Sequence, residues 1–147
     1  MGDKLFSCGA GINAGCLDAY GGFQLCMNLR HPDTVYSLAK GSLEEAMSRF
    51  IPQVRAMKAK HPAYLARCAR CFLKGLCEQC PAKSWAEHGT LDTPVDYYCE
   101  IAHTEARALR LLRKDEKAWE VKDWKERIRN LSEQEIETPL KRSASWT

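Results

Sequence analysis

The chain has 147 residues, 45% of them apolar and 28% charged, with a net charge of +3. This is enough for one modest domain with its own core, and the balance is that of a globular protein. The small, scattered positive charge gives no footing for nucleic acid or an anionic membrane, and no run approaches the roughly 18 apolar residues of a membrane span.

The first segment, MGDKLFSCGAGINAGC, lacks the apolar stretch of a signal peptide, so the expected compartment is the reducing cytoplasm. Residues 1–27 read as a hairpin: GINAGCL and GFQLCM flank DAYGG, where Asp18, Gly21 and Gly22 supply turn chemistry. Ser42-Leu43-Glu44-Glu45 is a capping box, with Ser42 accepting from the first free N–H groups and Glu45 reaching back. Leu43, Met47, Phe50, Val54 and Met57 follow at helical spacing and predict a core-facing stripe. Pro52 falls inside that pattern and predicts a kink or two short helices.

His61-Pro62 restarts the chain ahead of the cysteine loop, and PAKSWAEHG then reads as a short helix ended by Gly89. Thr93 as cap, Pro94 at the first helical position and Asp96 in the first turn predict a helix running through Cys99, Ile101, Ala108 and Leu112. Beyond Arg113, Val121, Trp124, Ile128 and Leu131 form one apolar stripe in the charged run KDEKAWEVKDWKERIRNL. Such an amphipathic helix needs a surface, either on its own domain or on a partner. The expected organisation is therefore 1–112 as the cysteine-bearing domain, 113–137 as an amphipathic helical extension and 138–147 as a flexible tail. The expected fold class is α+β, mostly helical, with a small N-terminal β-hairpin followed by helices and loops wrapped around metal.

Eight cysteines dominate the chemistry: Cys8, Cys16, Cys26, Cys68, Cys71, Cys77, Cys80 and Cys99. In a reducing compartment such a set points to metal sooner than to four disulfides. A C-x2-C pair serves zinc or an iron–sulfur cluster equally. Zinc modules usually separate their pairs by about 12 or more residues, whereas here five residues lie between Cys71 and Cys77. Iron–sulfur runs are compact, so the short gap leans that way. Two all-cysteine zinc sites in a protein-interaction module remain the alternative. His31, His61, His88 and His103 could be ligands, and His103, four residues after Cys99, could face the same region. Arg70, Lys74 and Lys83 could offset thiolate charge, and Trp85, Tyr97 and Tyr98 could exclude water or serve as plain core.

The ordered series Cys8-x12-Gly21-x4-Cys26, then Cys68-x2-Cys71-x5-Cys77-x2-Cys80, then Cys99 resembles the SPASM domain, the auxiliary-cluster module of radical SAM enzymes that modify peptides and proteins. CGAG at 8–11, CPA at 80–82 and TPVDYYCE ending at Glu100 add to the likeness, which spans Cys8 to Leu112. The resemblance implies two 4Fe–4S clusters, the first on Cys8, Cys16, Cys26 and Cys80, the second on Cys68, Cys71, Cys77 and Cys99. It also implies electron relay within, or to, a radical SAM catalytic domain or protein acting on a peptide substrate. Cys16 is outside the family's familiar seven-cysteine motif. The family commonly has three residues where this chain has only Glu78 and Gln79 between Cys77 and Cys80. No C-x3-C-x2-C loop for S-adenosylmethionine is present, so the chain is not expected to be an enzyme on its own.

Overall fold

Asp18 organises the first turn. Its carboxylate accepts from the Tyr20 and Gly22 N–H groups at 2.9 and 2.8 Å, as an Asx turn requires. The turn joins β1 (Cys16–Leu17) to β2 (Gly22–Gln24) with Cys16 opposite Gln24 and Leu17 opposite Phe23. The hairpin is shorter than the sequence suggests and is not alone, because β3 (Val35–Ser37) pairs antiparallel with β2 and makes a three-stranded sheet. The physical reason is that Phe23 and Gln24 are both buried, so β2 is a central strand without the period-2 alternation that marks a half-exposed one. The computed structural model describes residues 2–134, side chains of 132–134 excepted; the tail read for 138–147 and the end of the 113–137 extension lie outside the described residues.

Half of the capping box forms. Ser42 Oγ accepts from Glu45 N at 3.1 Å, whereas the Glu45 carboxylate accepts instead from Tyr36 OH at 2.6 Å and ties the helix to β3. The helix continues as α1 (Leu43–Glu45), a π-helical turn (Ala46–Phe50) and α2 (Ile51–Arg55). Pro52 has no N–H to donate, and the wider turn just before it absorbs the missing bond. A π turn takes in an extra residue and rotates the buried face. Ala46, Ile51 and Val54 face the core, while Leu43 and Met47, expected there, are 52% and 46% exposed.

α3 (Pro81–His88) ends at Gly89, as expected. α4 (Asp96–Ala108) begins two residues later than Pro94 would place it, and Thr93 does not cap it. The Thr93 carbonyl accepts instead from Ser84 Oγ at 2.7 Å and from Gln79 Nε2 at 3.2 Å, which holds the segment extended. α4 also stops short of Leu112. Arg110 takes a positive φ of 57°, and the Leu111 and Leu112 N–H groups fold back onto the Ala106 carbonyl. Among the described residues, the predicted extension is helical over α5 (Trp124–Gln134) and not over 113–123.

Two apolar cores result. One gathers the sheet, α2 and the N-terminal segment around Leu25, Leu29, Ile51, Val54 and Tyr64. The other joins Phe72, Leu73, Ala102, Ala106 and Leu112 to Ala118, with Val121, Trp124 and Leu131 packed against it. The extension therefore packs on the chain's own helices, Trp124 stacking on Phe72 with ring centroids 6.1 Å apart, while Ile128 is 42% exposed. Burying each large side chain of these cores stabilises the fold by about 1.5–3 kcal/mol. The cysteine loop lies between them: Cys68 and Cys80 pack on the first core, Cys71 and Cys77 on the second.

Candidate metal centre

A π-helical turn (Tyr64–Cys68), closed by the Ala69 N–H on the Tyr64 carbonyl at 2.9 Å, delivers Arg67 and Cys68. A 3-10 turn (Phe72–Gly75) follows Cys71, and the Leu76 and Cys77 N–H groups both donate to the Leu73 carbonyl at 2.9 Å. Gln79 then links this loop to the start of α4. Its side chain donates to the Thr93 carbonyl and accepts from Val95 N at 2.8 Å. That bridge fixes Cys99, on the first turns of α4, against the loop, and Cys77 Sγ lies 3.8 Å from the Tyr98 carbonyl oxygen.

Cys68, Cys71, Cys77 and Cys99 consequently border a single small hollow, with a free volume of about 30 Å³, partly open to solvent and with an almost wholly non-polar wall. Tyr64, Pro94 and Trp119 complete its apolar surface; Arg67, Lys74 and Gln79 bring the polar groups. Burial pushes the Cys68 thiol up to about 12 and the Cys71 thiol up to about 11, and raises Cys77 as well. Arg67 opposes the rise at Cys68, and the Leu73 backbone N–H opposes it at Cys71. Metal binding at this wall must therefore displace protons, and the nearby cations favour the thiolate form.

Thiols are donors to zinc and to iron–sulfur clusters alike. Among the described residues, no three His, Cys, Asp or Glu side chains are grouped so as to hold one metal ion. All eight cysteines are free thiols.

Cys80 turns away from this hollow. Extended at φ −138°, it precedes the first turn of α3 and borders a different hollow together with Cys8. Cys77 borders both, as do Lys74 and Gln79. Cys8 sits in a loop whose Cys8 and Ala10 carbonyls accept from Arg55 Nη1. Cys26 packs on the same core as Cys80. Cys16 lies on the edge strand β1, opposite Gln24, and borders neither hollow. The structure thus brings together all four cysteines of one expected set, and of the other set only Cys8 and Cys80 around a shared hollow.

Other candidates from the sequence fall differently. His103 is buried beside Cys99, with Nδ1 3.6 Å from the sulfur. His31 and His61 accept from backbone N–H groups of Asp33 and Ala63. Lys74 reaches the four-cysteine hollow, whereas Lys83 pairs with Glu78 at 2.7 Å and lies over the Tyr98 ring, and Arg70 is exposed. Trp85 packs edge-on against His31, Tyr97 is 65% exposed, and neither they nor Tyr98 line the hollow.

Tyr64 and Trp119 do that work, and Arg67 supplies a cation, its Nη2 3.5 Å from Cys99 Sγ. Arg67 stands next to Cys68 in sequence, the one cue that pointed to it. Trp119 lies 20 residues beyond Cys99 and carries no such cue. Among the described residues no helix is long and apolar enough to cross a membrane. No protein-family model, curated protein or solved structure matches the chain.

Proposed function

We propose that the chain is a cytoplasmic iron–sulfur module that relays electrons within, or to, a radical SAM enzyme modifying a peptide or protein. One 4Fe–4S cluster is assigned to Cys68, Cys71, Cys77 and Cys99, and another to Cys8, Cys16, Cys26 and Cys80. The observation that carries this reading is the division of the compact motif. Its first three cysteines border one hollow with Cys99, while its fourth borders only another, shared with Cys8 and Cys77. A single zinc module would gather the four thiols of the compact motif on one ion.

Bound clusters of this type supply one-electron carriers. The protein's part is to hold four sulfurs in a non-polar wall, to restrict water with Tyr64 and Trp119, and to offset negative charge with Arg67 and Lys74. With all four positions of each set taken by cysteine, relay is favoured over substrate binding at the metal.

The test is iron, acid-labile sulfide and zinc content of anaerobically purified protein, with a visible spectrum. About eight irons and eight sulfides per chain with broad brown absorbance are expected. A colourless protein with about two zinc ions overturns the relay and leaves an interaction module.

A further inference from the structure

Two hydrogen-bond donors converge on one of the four sulfurs. His103 is 7% exposed and sits one helical turn after Cys99. Its Nε2 is 3.2 Å from the Ala118 N–H, which can only donate, so Nε2 accepts and the neutral ring carries its proton on Nδ1. That Nδ1 lies 2.7 Å from the Cys99 carbonyl and 3.6 Å from Cys99 Sγ, so its proton is shared between the two. From the other side, Arg67 Nη2 reaches Cys99 Sγ at 3.5 Å and Asp96 Oδ1 at 2.8 Å. Trp119 holds both donors: the guanidinium lies 5.0 Å from its ring centroid, and the His103 ring meets it edge-on at 5.5 Å. Among the described residues, Cys68, Cys71 and Cys77 have no comparable pair of side-chain donors.

Resting on the cluster reading above, we infer that His103 and Arg67 are positioning residues that tune the cluster held by Cys68, Cys71, Cys77 and Cys99 through the Cys99 sulfur, and that the 118–119 segment fixes them. Hydrogen bonds to ligating sulfurs are among the levers that set cluster potentials. A donor stabilises the more negative, reduced state and so raises the potential. The effect is one of hydrogen-bond donation to the Cys99 sulfur from two sides. The stretch between α4 and α5 thereby acquires a role at the metal, since Ala118 selects the tautomer and Trp119 fixes the ring's orientation.

The experiment is an anaerobic redox titration followed by electron paramagnetic resonance on the full chain and on His103→Phe, His103→Gln and Arg67→Met. The expected result is that His103→Phe and Arg67→Met each move one of two midpoints to more negative potential and leave the other in place, with iron content unchanged. His103→Gln, which keeps an acceptor for Ala118 and a donor, recovers most of the shift. A merely structural role lowers iron content without moving the midpoint of the clusters that remain. If His103→Phe loses iron, Arg67→Met decides. If both lose iron, the unaltered protein exchanged into D2O decides: deuterium coupling at the affected cluster supports the donors and its absence overturns them. Two clusters whose midpoints ignore every substitution overturn this inference alone; an unaltered protein without iron overturns the cluster reading with it.

Discussion

Gly11→Ala tests whether the loop carrying Cys8 is held as tightly as its surroundings imply. Gly11 has a φ of 73°, a conformation that costs a residue with a Cβ about 1–2 kcal/mol. A methyl group there would also stand 2.9 Å from Ile51 Cγ2, 2.9 Å from Leu25 Cγ and 3.0 Å from Leu25 Cδ2. Both neighbours are fully buried and have no room to retreat, so overpacking adds about 1–3 kcal/mol. The sum is about 2–5 kcal/mol of lost stability.

Gly21→Ala is the internal control. Its φ is 79°, but nothing lies within 4 Å of the added methyl, so only the backbone cost of about 1–2 kcal/mol applies. Urea unfolding of the two variants and the parent, followed by tryptophan fluorescence, gives both numbers. Equal losses for the two variants, or a Gly11→Ala loss below about 0.5 kcal/mol, would refute the packing argument. In the loaded protein the damage should fall on the Cys8 side, because Arg55 ties the Cys8 and Ala10 carbonyls to α2.

Gln79→Ala removes the bridge between the cysteine loop and α4; the unpaired Val95 N–H and Thr93 carbonyl should cost about 1–3 kcal/mol in the same assay, with amide exchange accelerating around residues 93–96. The metal-free, reduced protein should lose stability as pH rises. Thiols ordinarily near 9.0 are held at about 11 and about 12 at Cys71 and Cys68, so their contribution is complete below pH 9 and gone above pH 12. After halving for partial exposure, the fall is roughly 3 kcal/mol; thermal melting against pH should show it, and Cys68→Ala should flatten it. At the acid end, the Arg127 guanidinium holds the Glu116 carboxyl down to about 2. Its contribution to anchoring the 113–123 segment is present above pH 4.5 and lost as pH falls toward 2, which Trp119 and Trp124 fluorescence should follow; Glu116→Gln should abolish the transition.

What the sequence made legible was chiefly local. The Asp18 turn, the Ser42 cap, Pro81 at the start of α3 and Gly89 at its end are each decided by one or two residues acting on their own backbone. β3 was not legible, because Val35-Tyr36-Ser37 is too short to show a period and owes its place to the central position of β2. The Leu43–Met47 stripe misled because a π turn shifts the helical phase, and only the packed position of Ile51 shows the shift. At the candidate site, the cysteines advertise themselves by spacing. Gln79, Arg67 and Trp119 do not, since their roles come from tertiary contacts across 14 to 52 residues of chain.

The wall between the two hollows is made by Cys77, Gln79 and Lys74, and only Glu78 and Gln79 separate Cys77 from Cys80. Three peptide units span at most about 11 Å. The residues that would hold groups on either side, Cys77 and Cys80, are therefore at most that far apart along the backbone. At an effective dielectric of about 20, one added electron at that distance raises the energy of a second by about 1.5 kcal/mol, near a tenfold change in equilibrium. If both sides hold clusters as proposed, the short C-x2-C would make them electrostatically anticooperative, and Lys74, bordering both hollows, would soften that repulsion.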